Sequence, residues 1–165
     1  MRIHHLLLLA LLTLSACGFH LRGSQVATSA SYSRLYIDSV AASNITAEVK
    51  SQLGVADKTI TATAGEAEYT LRLENESVQR SVLTVSAVTG KVEEYQISVS
   101  VRMSVYDEKG EPLLDNRGIR VVRDYAFDED AVLGKFTEEE VLQEELTQRA
   151  ASQIIRRLEA VTKNR

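Results

Sequence analysis

Residues 95–105 constrain the fold more than any other stretch. Tyr95, Ile97, Val99, Val101, Met103 and Val105 alternate with Gln96, Ser98, Ser100, Arg102 and Ser104. Successive side chains of a strand point to opposite faces, so six apolar groups fall on one side and the polar ones on the other. Full burial of the six contributes roughly 9–18 kcal/mol before conformational entropy is subtracted. A slip of one residue would turn that face to water, so the register is strongly specified. Such a strand belongs inside a sheet with one side on a core and one side wet.

The rest of the chain must supply the neighbours and the cover. Residues 34–38 predict a first strand, and Ser43 or Asn44 can cap a helix through Leu53, with Ile45, Val49, Gln52 and Leu53 inward and Gly54 ending it. A short edge strand is expected around Thr59–Thr63. From Glu68 to Ser77, Tyr69, Leu71 and Leu73 alternate with Thr70, Arg72 and Glu74, after which the pattern blurs through Val85. Thr89-Gly90-Lys91 predicts a turn, and residues 107–112, with the single proline at Pro112, predict another. A partner strand returns from about Leu113 to Phe127, with Ile119, Val121 and Tyr125 on one face. After the acidic loop 128–130, Thr137 and Glu140 have the spacing of a capping box, and Leu142, Leu146, Ala150, Ile154 and Leu158 recur every four residues, continued by Val161. Together these predict an α+β domain over residues 34–165: a mostly antiparallel sheet of about four strands with two helices packed on one face.

Ahead of this domain stands a different kind of segment. Residues 6–14 are apolar except for Thr13, they follow Arg2, His4 and His5, and they lead to Leu14-Ser15-Ala16-Cys17. A basic start, a short apolar run and small residues at the cut are the layout of a secretory signal peptide. The run is shorter than the roughly 20 residues a membrane-spanning helix needs. Leu14–Cys17 resembles the lipobox of bacterial lipoproteins. That resemblance implies cleavage after residue 16, a diacylglyceryl thioether on Cys17 and acylation of the new amino end. Residues 17–33 are then a lipidated start and a small, polar tether. Cys17 is the chain's one cysteine, so no disulfide is available within the chain. The expected non-protein component is the covalent lipid itself, with no cofactor. Two or three acyl chains hold a protein at a membrane where one binds only reversibly.

Loss of residues 1–16 removes Arg2 and takes the formal net charge from −4 to −5. An acidic balance without a basic stripe argues against nucleic acid as a partner. The acidic runs 128–130 and 138–140 lack the glycine and the spaced final carboxylate of a calcium loop. His20 is the one histidine beyond residue 16. The chain has no nucleophile-elbow, zinc-protease or phosphate-loop motif, so it reads as no enzyme. A lipid-anchored hydrolase would require His20, beside the tether, to meet an Asp or Glu in a pocket.

Three stretches resemble the family of lipopolysaccharide-assembly lipoproteins called LptE. They are Cys17-Gly18-Phe19-His20-Leu21-Arg22-Gly23, the turn and strand from Gly90 to Val101 with Glu94-Tyr95 opening the strand, and Leu133-Gly134-Lys135 with the helix that follows. The similarity covers nearly the whole chain after residue 16. It implies a role and no reaction: a plug inside the outer-membrane β-barrel LptD, which helps the barrel assemble and helps deliver lipopolysaccharide to the outer leaflet. The implied location is the outer membrane, anchored by lipid on the periplasmic side and inside the barrel lumen. The sequence departs from family members whose hairpin carries an arginine before Asn-Gly; here Val88-Thr89-Gly90 precedes Lys91.

Lipopolysaccharide presents phosphates and acyl chains, so its contacts require basic groups near apolar surface. The candidates are Lys135, which matches a recurring basic position before the last helix, then Lys91, Arg117, Arg120 and Arg123. Along a strand Arg117 and Arg123 share a face and Arg120 takes the other. The alternative function is a free, periplasm-facing lipid carrier, which would hold an enclosed apolar cavity between sheet and helices.

Overall fold

The computed structural model describes residues 32–55, 58–127 and 132–163. The expected lipidation site Cys17, the opening motif, most of the expected tether and the acidic loop 128–130 lie outside them. The elements are β1 (Arg34–Val40), α1 (Ser43–Val55), β2 (Thr59–Ile60), a single 3-10 turn (Ala64–Glu66), β3 (Tyr69–Val85), β4 (Val92–Asp107), β5 (Pro112–Ala126) and α2 (Val132–Lys163).

The fold is α+β, as the pattern predicts, but the sheet has five strands and is mixed. Its order is β2-β1-β3-β4-β5. β1 runs parallel to both β2 and β3, and β3, β4 and β5 run antiparallel. The fifth strand is β2, the short edge strand expected around Thr59–Thr63, which forms over Thr59–Ile60 alone. The parallel half arises because α1 carries the chain back over the sheet before β2, as a crossover helix does.

β4 is the second strand from one edge, flanked on both sides along most of its length. Its residues Ile97, Val99, Val101, Met103 and Val105 are buried in one core with Leu35, Ile37, Leu71, Leu73, Ile119, Val121 and Tyr125. α1 contacts β1 and β3, α2 contacts β4 and β5, and the two helices contact each other. Ile45, Val49 and Leu53 of α1 and Leu142, Leu146, Ala150, Ile154 and Leu158 of α2 close the core. Gln52 belongs to the inner face too. Its Nε2 donates to the Gln148 carbonyl (3.1 Å), and its Oε1 accepts from the Ser152 hydroxyl (3.0 Å), so it joins the helices by polar contact. On the other side of the sheet, cross-strand bonds such as Gln96 Nε2 to Asp124 Oδ1 (2.9 Å) and Arg102 Nη1 to Asn116 Oδ1 (2.8 Å) replace hydration.

Four local expectations are corrected. β3 is far longer than Glu68–Ser77, because its pairing with β4 shifts between Glu74 and Ser77, with Asn75 at φ 55°. Leu71 and Leu73 pair with core residues of β4 at odd positions; beyond the bulge, Val78, Arg80 and Val82 do so at even ones. One inserted residue reverses the alternation, which is why the pattern blurs. α1 continues through Gly54 to Val55, so Gly54 does not end it. Its first turn is capped from a distance: the Glu76 carboxylate accepts from the Asn44 and Ile45 amides (3.1 and 3.2 Å). α2 starts at Val132, which places Thr137 and Glu140 inside the helix rather than at its start, so they are no capping box.

Candidate functional site

β3 and β4 form a hairpin that outruns the sheet. β5 ends at Ala126, opposite Glu94, and Val85 pairs with Val92 beyond it. The loop closes through Ser86 N to Lys91 O (2.8 Å) and Gly90 N to Ser86 O (2.9 Å), with Gly90 at φ 72°, a region glycine enters without a Cβ clash. Val82, Leu83, Val85 and Val88 are exposed by 51, 47, 50 and 94 %. Burying such side chains is favourable, so a cluster of them in water marks a contact surface. Lys91 is exposed at the same loop, and its amide bonds the Thr89 hydroxyl (3.3 Å).

The root of this hairpin is fastened to the start of α2. Arg80 faces the helix side, opposite Ile97, and its Nη1 meets Glu139 Oε2 at 3.1 Å. Tyr125 Oη donates to the same carboxylate oxygen (3.2 Å). The Arg80 guanidinium lies 4.8 Å from the Tyr95 ring centre, Tyr95 stacks on Tyr125 (6.0 Å), and Phe127 meets Tyr95 edge-on (5.1 Å). The Glu139 charge holds the Arg80 guanidinium protonated above its ordinary range. Burial first, then the same carboxylate, pushes the Tyr125 hydroxyl up. The guanidinium therefore stays charged, with a neutral phenol beside it. Lys135 lies one helical turn before Glu139, in the opening turns of α2 near this end; its side chain is outside the described part.

The β5 arginines divide as the alternation requires. Arg117 and Arg123 lie opposite Met103 and Ile97, on the helix side. Arg120 lies opposite Ser100 on the open face, and its Nη2 meets the Ser98 hydroxyl (3.4 Å). All three are exposed. Arg123 is toward the hairpin end and Arg117 toward the far end, so the candidates do not converge on one site. The Arg80–Tyr95–Tyr125–Glu139 cluster is not among them. Its one sequence signal is a polar residue at a core-facing register position, which shows only once the bulge is known.

At the opposite end the chain enters at Tyr32, buried against Tyr69 (5.9 Å) and under Lys58, whose Nζ donates to the Tyr32 carbonyl (2.9 Å). Burial raises the Tyr32 hydroxyl well above its ordinary range, with Glu159 adding to the shift; burial likewise raises the Glu159 carboxyl, against the opposing pull of Lys58.

The fold defines a class: a two-layer α+β domain with an apolar hairpin at one end of its sheet and, at the other, Tyr32, where the described chain begins. The family model described as LptE, lipopolysaccharide-assembly, matches residues 32–158, and the chain belongs to that family. It is 28 % identical over 151 residues to the LPS-assembly lipoprotein LptE of Pectobacterium atrosepticum, covering 91 % of this chain and 80 % of that one. The crystal structure of rare lipoprotein B from Shewanella oneidensis superposes with a TM-score of 0.70 at 28 % identity, covering 79 % of this chain and 97 % of the other. The solution structure of a lipoprotein B from Nitrosomonas europaea gives 0.75 at 26 %, covering 88 % and 93 %.

Proposed function

We propose that this protein is a lipid-anchored, non-catalytic plug of an LptD-type outer-membrane β-barrel, supporting barrel assembly and lipopolysaccharide delivery to the outer leaflet. The observation that carries the reading is membership of the lipopolysaccharide-assembly family over essentially the whole folded domain. The hairpin adds a physical reason, since exposed valines beside Lys91 suit a partner that offers both apolar surface and phosphate. Of the basic candidates, Lys135 and Lys91 belong to the hairpin end and are the first to contact lipopolysaccharide; Arg123 is on the same half of β5. The anchor is the lipid on Cys17, and the domain works on the periplasmic side and within the barrel lumen. The lipid-carrier alternative fares worse, because the layer between sheet and helices is occupied by Leu71, Leu73, Met103, Leu146 and Ile154, all at most 1 % exposed. Isolation of the acylated chain from native outer membranes in mild detergent tests the proposal. An LptD-type barrel should accompany it in a fixed ratio; recovery as a free monomer overturns the reading.

A further inference from the structure

We propose that a furrow between β5 and the carboxyl-terminal half of α2 holds the phosphate of an anionic glycerophospholipid in the membrane to which the amino-terminal anchor is fastened. The proposal rests on the reading of Cys17 as acylated. The furrow has a volume of about 430 Å³ and is lined by Leu114, Arg117, Gly118, Arg157, Ala160 and Val161.

Its construction depends on a bulge. Residues three apart on a regular strand point to opposite faces. The pairing of β5 with β4 shifts between Met103 and Val105, with Asn116 at φ 47°, so Leu114 lies opposite Val105 and Arg117 opposite Met103, both on the helix side. The Asn116 amide donates to the Ser104 hydroxyl (3.0 Å), which holds the bulge in place. Bulges commonly re-aim a side chain beside a site. From the other wall, Arg157 Nη1 donates to the Gly118 carbonyl (3.1 Å), which sets its guanidinium next to the strand position adjoining Arg117. Neither arginine forms an ion pair among the described residues, although carboxylates outnumber basic groups in the chain. Arg117 and Arg157 line one hollow, and an anion there would relieve the repulsion between their like charges. Phosphate suits them, since arginine bonds it through two parallel donors. Leu114, Ala160 and Val161 add apolar surface for the glycerol and first acyl carbons.

Position selects the membrane lipid as the occupant. Leu35, Tyr69 and Asp107 are partners across one row of the sheet, and the next row joins Tyr36, Thr70, Tyr106 and Pro112. Leu114 and Arg117 pair with Val105 and Met103, so the furrow lies in the half of the sheet nearer Tyr32, three strand spacings across and four residues along from Leu35, about 20 Å. Tyr32 is fifteen positions after Cys17, a reach of at most about 50 Å. A bilayer holding the acyl anchor is thus within range of the furrow. The turn at that end carries Glu108 and Glu111, which oppose flat contact with an anionic surface and favour one headgroup taken at the flank.

The test uses the full acylated chain in nanodiscs of phosphatidylcholine alone or mixed with phosphatidylglycerol, read by amide hydrogen exchange. Phosphatidylglycerol should slow exchange in residues 112–118 and 157–163 by about threefold or more. Arg117→Gln with Arg157→Gln should abolish the slowing without changing exchange in residues 95–105, and the paired lysine substitutions should restore part of it. Equal slowing in phosphatidylcholine, slowing in the double glutamine variant, slowing at the hairpin instead, or equal slowing by dissolved inorganic phosphate would each overturn the proposal. Intact mass separates the two failures: an unacylated Cys17 removes the anchor, whereas an acylated chain with no slowing removes only the furrow.

Discussion

Glu76 shows how much one side chain can do from outside the element it serves. It stands in the β3 bulge, its amide bonds the Ala41 carbonyl (2.9 Å), and its carboxylate closes the first turn of α1. A lost helix cap costs roughly 0.5–2 kcal/mol, so Glu76→Ala should lower unfolding stability by about 1 kcal/mol in a denaturant titration; an unchanged midpoint would mean the cap contributes nothing. Glu159 makes an opposite prediction. Its folded-state pKa is raised, so folding favours its protonated form, and the charged form is a cost that grows as pH rises through the folded value. Glu159→Gln should raise the melting temperature near neutral pH, and the gain should vanish below about pH 4, where the unfolded carboxyl is protonated too. A gain that persists in acid would locate the effect elsewhere. Neither role is legible in the sequence: Glu76 is far along the chain from the amides it caps, in a different element, and Glu159 looks like any charge on a helix surface.

Elements were legible where one period ran uninterrupted. β4 and the stripe of α2 appear where the alternation and the four-residue spacing put them, with Leu146, Ala150, Ile154 and Leu158 all at most 1 % exposed. Ile154→Ala should therefore cost about 2–5 kcal/mol, measured by thermal or chemical unfolding, against near zero for a side chain that packs on nothing. The pattern failed where geometry changed along the strand: the bulge at Asn75 hid the second half of β3. It also failed at the start of α2, where Thr137 and Glu140 fit a cap while the helix begins earlier, at Val132. The long β3–β4 hairpin gives the contact prediction at this scale. Replacing Val82, Val85 and Val88 by serine should leave stability within about 0.5 kcal/mol, as for exposed sites generally, while weakening association with the barrel. Lys135→Asp should weaken lipopolysaccharide binding at unchanged stability. Retained barrel association in the first case, or retained lipopolysaccharide binding in the second, would remove those residues from the contact.

At the scale of the molecule the domain has two unlike ends. One carries the apolar hairpin and the Arg80–Glu139 fastening at its root; toward the other lie Tyr32, where the described chain begins, and the arginine furrow. With the proposed lipid on Cys17, such a domain would be a wedge held at a membrane and inserted into a partner. The family is legible in the resemblance, which the family model bears out over residues 32–158. The direction of the hairpin relative to the anchor is not, because it depends on the strand register. If the wedge account holds, Cys17→Ser should leave the unfolding transition unchanged and release the chain from the membrane fraction. The most direct measurement places a photo-crosslinking amino acid at Val88 in living cells and identifies the adduct by mass spectrometry. The account predicts a crosslink to the lumen wall of an LptD-type barrel; adducts confined to phospholipid, with the chain otherwise free, would contradict it.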